Sequence, residues 1–240
     1  RSKDWIETAG YEVIYGDTDS VFVLVGSGTD EAGCEGIGRQ LASGLNQWWT
    51  EYLREQYALP CHLEIEFETH YLRFLMPTIR GSETGSKKRY AGSIRDGENI
   101  KLKFKGLETV RTDWSPLARE LQKELYRRIF FDEPWEDYLR ETVADLYAGK
   151  LDHKLVYRKR LRRKLEDYTK NVPPHVQAAR KLGRAERHIE YLITLQGPEP
   201  LALFNQSASL KPDYEHYIDK QLAPVADGIL HFLEKRFEDV

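Results

Sequence analysis

Two aspartates set two residues apart, Asp17 and Asp19, are the side chains in this sequence whose type and spacing most directly suggest chemistry. Residues two apart in an extended chain point to the same face, so the two carboxylates can stand side by side. Charges of one sign that close repel unless a cation or solvent screens them. A divalent ion that prefers oxygen, Mg²⁺ or Mn²⁺, suits that donor type. The flanking residues say how the pair is held. Val13, Ile14 and Tyr15 lead in and Val21–Val25 lead out, all suited to strands, while Gly16-Asp17-Thr18-Asp19-Ser20 is turn chemistry. The pattern predicts a β-hairpin within Tyr11–Gly26 with the acids at its tip. An Asp-Thr-Asp turn by itself is in most proteins only a solvated turn, so the rest of the chain has to decide.

The elements that must position this hairpin follow in order. Arg1–Ala9 reads as a helix ended by Gly10. After a small-residue, acidic loop over Gly26–Gly36, Ile37, Leu41, Leu45, Trp48 and Tyr52 recur at helical spacing, and Pro60 forbids continuation. Trp48 and Trp49 are better read as packing residues than as stacking platforms. Leu63–Glu68 alternates as a strand does, Tyr71–Met76 is a second candidate, and strands around Tyr90–Ile94 and Ile100–Phe104 flank an Asp96-Gly97 turn. Beyond Gly106 the pattern becomes mostly helical, with a helix start at Ser115-Pro116, another at Glu133-Pro134, a helical reading of the basic run Leu155–Lys164, a short helix over His175–Leu182 and a last helix from Asp213 broken near Pro224. Ile189–Leu195 reads as a short strand. The expected fold class is α+β, a sheet with a packed helix over residues 1–108 followed by a mostly helical domain over residues 109–240.

Composition bounds the rest. The chain has 240 residues, 40% hydrophobic and 31% charged, which suits a soluble globular protein of one large or two ordinary domains. No apolar run is long enough to span a membrane, and no secretory leader opens the sequence, so a cytosolic location is expected. Cys34 and Cys61 form no CxxC pair, and the seven histidines show no HxxxH or HExxH spacing, so zinc is not expected. Net charge is −3, but the basic residues cluster. Lys87–Arg111 holds eight Lys or Arg against three acids, and Lys150–Lys164 holds eight against one. Segments of this kind can grip a polyanion locally, although charge runs more often are solvated faces.

The hexapeptide Tyr15-Gly16-Asp17-Thr18-Asp19-Ser20 resembles the catalytic hairpin of family B DNA polymerases, YGDTDS. Lys87-Lys88-Arg89-Tyr90 resembles a second motif of that family, KKRY, in the expected order, and Lys105–Trp114 (KGLETVRTDW) looks like its palm-to-thumb passage. Leu155-Val156-Tyr157-Arg158-Lys159, Pro174–Ala179 and Asp213–Tyr217 follow the family's thumb pattern, so the resemblance covers nearly the whole chain. It implies a DNA-directed DNA polymerase that uses two Mg²⁺ ions. Asp19 would be the main metal ligand from the hairpin and Asp17 a less essential neighbouring carboxylate. Lys87, Lys88, Arg89 and Tyr90 would lie along the primer–template minor groove, where a lysine donor can read correct pairing without reading sequence. Lys105, Arg111, Arg158, Lys159 and Arg160 would hold duplex phosphates.

The resemblance also has gaps. The family's other catalytic aspartate, in a DxxSLYPS-like strand, and its nucleotide-binding helix have no counterpart in the sequence, nor does a C-terminal clamp-binding peptide. The sequence therefore reads as a palm and thumb portion. Primer–template duplex and deoxynucleoside triphosphates are the implied partners of the parent, a sliding clamp would be bound through the missing peptide, and the portion alone is expected to be inactive. An unpaired hairpin edge rich in Val, Ile and Phe also predicts self-association. The competing reading is a non-catalytic module that binds duplex DNA and makes no bond.

Overall fold

The computed structural model describes residues 1–77, 88–183 and 187–240. The chain divides into two compact units, residues 1–74 with 92–103, and residues 75–91 with 104–240. The architecture is α+β, helices with small antiparallel sheets.

In the first unit, α1 (Ser2–Thr8) ends at Ala9, and Gly10 at φ 92° turns the chain into β1 (Glu12–Gly16). β1 pairs antiparallel with β2 (Val21–Leu24) through Glu12↔Leu24, Val13↔Val23, Tyr15↔Phe22 and Gly16↔Val21, with the register shifting between Val13 and Tyr15. This is the hairpin the sequence implies, with a bulge at Ile14. α2 (Glu31–Tyr57) begins several residues before the apolar spacing does. Asp30 caps it, accepting from the Gly33 amide at 2.8 Å. That cap offsets the low helix propensity of Gly33, Gly36 and Gly38. The glycines have a packing use as well, because a side chain at Gly38 or Gly44 would run into the ring of Phe67 or Trp5.

The strand expected over Leu63–Glu68 does not form. The alternation still sorts the faces, with Ile65 and Phe67 half-buried and Glu64, Glu66 and Glu68 exposed. The ladder partner is a side chain: Asn46 on α2 donates to the Ile65 carbonyl and accepts from the Ile65 amide, both at 2.8 Å. One amide side chain satisfies one residue's backbone, which explains an extended segment without a sheet. β3 (Arg73–Leu75), β4 (Tyr90–Asp96) and β5 (Asn99–Lys105) then form a three-stranded sheet in that order, with Gly97 at φ 63° in the expected turn.

The second unit is built on α3 (Pro116–Phe130) and α4 (Glu136–Tyr147). Ser115 caps α3, accepting from Ala118 at 3.3 Å, while its own amide and hydroxyl donate to Gln221. Leu117, Leu121 and Leu125 bury one face of α3, with Leu139, Leu146, Val225 and Ile229 also in the core. Each such side chain contributes roughly 1.5–3 kcal/mol of burial. The basic run expected to be helical is instead β6 (Tyr157–Arg160), the edge of an antiparallel sheet with β7 (His188–Thr194) and β8 (Gly197–Pro200). Buried Tyr157 stacks between Tyr191 and Tyr217, with ring centroids at 5.2 and 5.6 Å. Packing of that aromatic on one face imposes a period of two and overrides the helix propensity of Arg and Lys. α5 (Pro174–Lys181) starts after Pro173 as expected. The break expected near Pro224 is absent. A wide π turn over Ile218–Leu222 joins helical residues 214–217 to the helix over Ala223–Leu230, and Pro224 sits in that helix's first turn, where a missing amide is tolerated.

Candidate metal hairpin and nucleic-acid interface

The two aspartates are carried by a closed hairpin tip. The Asp17 amide donates to the Ser20 carbonyl at 2.8 Å, one residue pair beyond Gly16↔Val21. Below the tip, Phe22 sits 5.4 Å from Tyr15, 6.2 Å from Tyr71 and 5.1 Å from Phe74, centroid to centroid. Such aromatic pairs contribute about 0.5–1.5 kcal/mol each beyond their buried area. The tip therefore stands on a rigid aromatic base. On the outward side Ile14, Val21 and Leu24 are exposed.

The two carboxylates are not equivalent. Asp17 is half-buried and Oδ1 accepts from the Thr18 amide at 2.7 Å, a local turn contact. Asp19 is exposed and accepts from the Ser20 hydroxyl at 3.4 Å, a long bond. Their donor chemistry suits a hard cation, and Mg²⁺ commonly takes one or two carboxylates with the remaining positions filled by water and substrate phosphates. Among the described residues no group of three His, Cys, Asp or Glu comes together that could hold a metal. The described residues of the hairpin thus offer two carboxylates and not a complete metal cage.

The basic residues behave differently. Lys87 lies outside the described residues. Lys88 adopts φ 62°, and its carbonyl lies where a side chain at residue 106 would be, 2.3 Å from the position of a Cβ. Gly106, itself at φ 65°, is thereby required, and it ties the KKRY stretch to the KGLE stretch. Arg89 reaches Glu108, which is buried, and Glu108 also accepts from Gln122 Nε2 at 2.7 Å, while Gln122 Oε1 accepts from the Thr109 amide at 2.8 Å. Tyr126 is buried close by, and desolvation, with the Glu108 charge second, pushes its hydroxyl pKa well above the ordinary tyrosine value. Tyr90 is also buried, with the Lys105 ammonium 5.9 Å from its ring centre.

Arg111 and Lys159, 48 positions apart in sequence, meet on one carboxylate. Arg111 donates from Nε and Nη2 to the two Asp113 oxygens at 3.0 and 2.8 Å, and Lys159 Nζ lies 2.8 Å from Asp113 Oδ2. The Arg111 bond first, then Lys159, hold the Asp113 carboxyl well below the usual carboxylate range. On β6, Arg158 and Arg160 point outward and are exposed, and Arg158 faces Glu190 across the strand pair at 4.0 Å. Further along, Arg162, Arg163 and Lys164 are exposed as well. Sequence reading of the charges finds these cations but misses Glu108, Gln122 and Asp113. A buried glutamate and an inward glutamine leave no periodic signal, since only their folded neighbours reveal them.

Comparison with known proteins supplies the family. The sequence profile of DNA polymerase family B matches residues 2–233. DNA polymerase II of Escherichia coli (strain K12) is 54% identical over 249 residues, covering 99% of this chain and 31% of that protein. DNA polymerase 2 of Aeropyrum pernix is 32% identical over 246 residues, covering 95% of the chain and 27% of that protein. Among solved structures, the family B DNA polymerase of Pyrobaculum calidifontis superposes with a TM-score of 0.60 at 29% identity, over 95% of this chain and 28% of that one. The chain thus spans about a third of the length of these relatives or less. With the family profile matching residues 2–233, almost its full length, the chain belongs to DNA polymerase family B.

Proposed function

We propose that this chain is the palm and thumb portion of a DNA-directed DNA polymerase, residues 1–108 belonging to the palm and 109–240 to the thumb, in which a primer 3′-hydroxyl attacks a deoxynucleoside triphosphate paired to the template. The observation that carries this reading is the YGDTDS hairpin with its exposed Asp19 in a chain matched over residues 2–233 by the polymerase family. Two bound Mg²⁺ would activate the primer hydroxyl and steady the triphosphate. Asp19, exposed and weakly tethered, is the carboxylate available as a ligand from this chain. Asp17, turned to the Thr18 amide, shapes the turn and the local field. Lys88 faces the minor groove near the primer end, the buried Tyr90 supports that stretch from inside rather than touching the groove as the resemblance implied, and the outward Arg158 and Arg160 with Arg111 hold duplex phosphates. A further carboxylate has to come from outside this chain, so these residues alone do not extend a primer. The outward Ile14, Val21 and Leu24, on a hairpin given no third strand by the described residues, support pairing with another strand, including that of a second copy.

The test is a chimera: DNA polymerase II of E. coli with its corresponding segment replaced by this chain. It should extend a primed template, whereas the isolated chain should not. A folded chimera without polymerase activity, or extension by the carefully purified chain alone, contradicts the reading.

A further inference from the structure

Arg111 and Lys159 come from distant parts of the second unit, yet both end on Asp113. Arg111 spends on Asp113 the planar edge, Nε and Nη2, with which a guanidinium grips a phosphate bidentately. A carboxylate in this grip is close in charge and oxygen spacing to a backbone phosphate. The triad is open to solvent: the side chains of Arg111, Asp113 and Lys159 are 50%, 29% and 33% exposed. A phosphate can therefore approach the two cations, but it meets a site already holding an anion. The strong depression of the Asp113 carboxyl means that this anion stays charged throughout the neutral range and is not removed by protonation. The contrast within the same unit is Arg89, whose carboxylate partner Glu108 is buried and locked by Gln122, out of any phosphate's reach.

We infer that Asp113 is an internal competitor for DNA: its carboxylate occupies a phosphate subsite formed by Arg111 and Lys159, and duplex binding requires these two cations to exchange it for a backbone phosphate. The inference rests on the duplex-binding reading given above. Its functional sense is restraint, since an enzyme that moves along DNA cannot hold each phosphate at full strength. The exchange keeps the two cations close together without DNA and lowers the net gain when DNA arrives.

The experiment compares duplex affinity of the chain with that of Asp113→Asn by fluorescence anisotropy on a labelled duplex of about 20 base pairs, over a series of salt concentrations. Asn keeps the shape and removes the charge. Asp113→Asn should bind about fivefold tighter at low salt, the size expected on freeing partly exposed ion pairs. The slope of log affinity against log salt should steepen by about one ion, because one more protein charge then displaces counterions from DNA. Arg111→Gln in the Asp113→Asn background should remove the gain. Circular dichroism checks folding, and Asp113→Ser serves as a second charge-removing variant if the first is unstable. Equal or weaker binding by the charge-removed variants, with the unsubstituted chain binding normally, overturns the competitor role and makes Asp113 a support for the two cations. If no form binds duplex at any salt, the DNA-binding reading itself fails and the inference falls with it.

Discussion

The hairpin tip and the ionic junctions of the second unit hold their carboxylates in different settings. At the tip Asp17 and Asp19 accept from the amide and hydroxyls of their own turn. At Glu108 and Asp113 each carboxylate is met by a cation, and Glu108 is sealed from water. The chain thus leaves Asp19 exposed at a turn, bonded to a neighbouring hydroxyl, and pairs the buried Glu108 with a cation. A charge such as that of Asp19 costs little at an exposed turn, and the Tyr15, Phe22, Tyr71 and Phe74 cluster supports that turn. A buried carboxylate without a partner would cost several kcal/mol.

The largest expected break in that contrast is at Glu108. Glu108→Leu leaves Arg89 and the Gln122 amide without their acceptor and should lower stability by about 2–4 kcal/mol, read from urea denaturation. Glu108→Gln keeps an acceptor and should cost clearly less. A Leu variant as stable as the parent would remove the structural role given to this junction.

The next effect is in acid. Arg111 holds Asp113, and Arg127 holds Glu124, below the ordinary carboxylate range. A carboxyl with a depressed folded-state pKa stabilises fully above its unfolded value, near 4, and loses that contribution as pH falls through the folded value. The share of stability that these pairs contribute, read from the urea midpoint, should therefore stay flat from pH 7 to 5 and fall below about pH 4, by on the order of 1 kcal/mol for the pairs together. That fall comes on top of the loss near about pH 6 from His175 and His216, whose pKa values burial lowers. Asp113→Asn should weaken the fall. Stability that rises on acidification would contradict the pairing.

The smallest effect belongs to the hairpin. Asp19→Ala removes an exposed carboxylate at a turn, and stability should change by less than about 0.5 kcal/mol. Thermal melts would show it, and a large loss would mean that Asp19 holds the fold rather than serves a ligand.

Much of this was legible before any coordinates. The hairpin, the Asp96-Gly97 turn, the Ser115 cap and the inner face of α3 all follow from local turn chemistry and short-range periodicity. What the sequence hides is what depends on distant residues. The alternation over Leu63–Glu68 implies a strand, but a ladder needs a neighbour, and here Asn46 substitutes for one. The run Leu155–Lys164 has good helix formers, yet Tyr157 enters a stack with Tyr191 and Tyr217 and the segment becomes β6. At the candidate site the acids of the tip could be read directly from their spacing. The partners of Arg89, Arg111 and Lys159 could not, because attraction between side chains far apart in sequence leaves no periodic mark.

The central claim is that the hairpin supplies one strong metal ligand, Asp19, and that Asp17 supports it. Single-turnover nucleotide incorporation on a primed template, using the chimera carrying Asp19→Ala or Asp17→Ala and after circular dichroism has confirmed folding, tests this most directly. The account predicts that Asp19→Ala falls to background while Asp17→Ala keeps measurable incorporation. Near-normal rates with Asp19→Ala, or a deeper loss with Asp17→Ala, would contradict it.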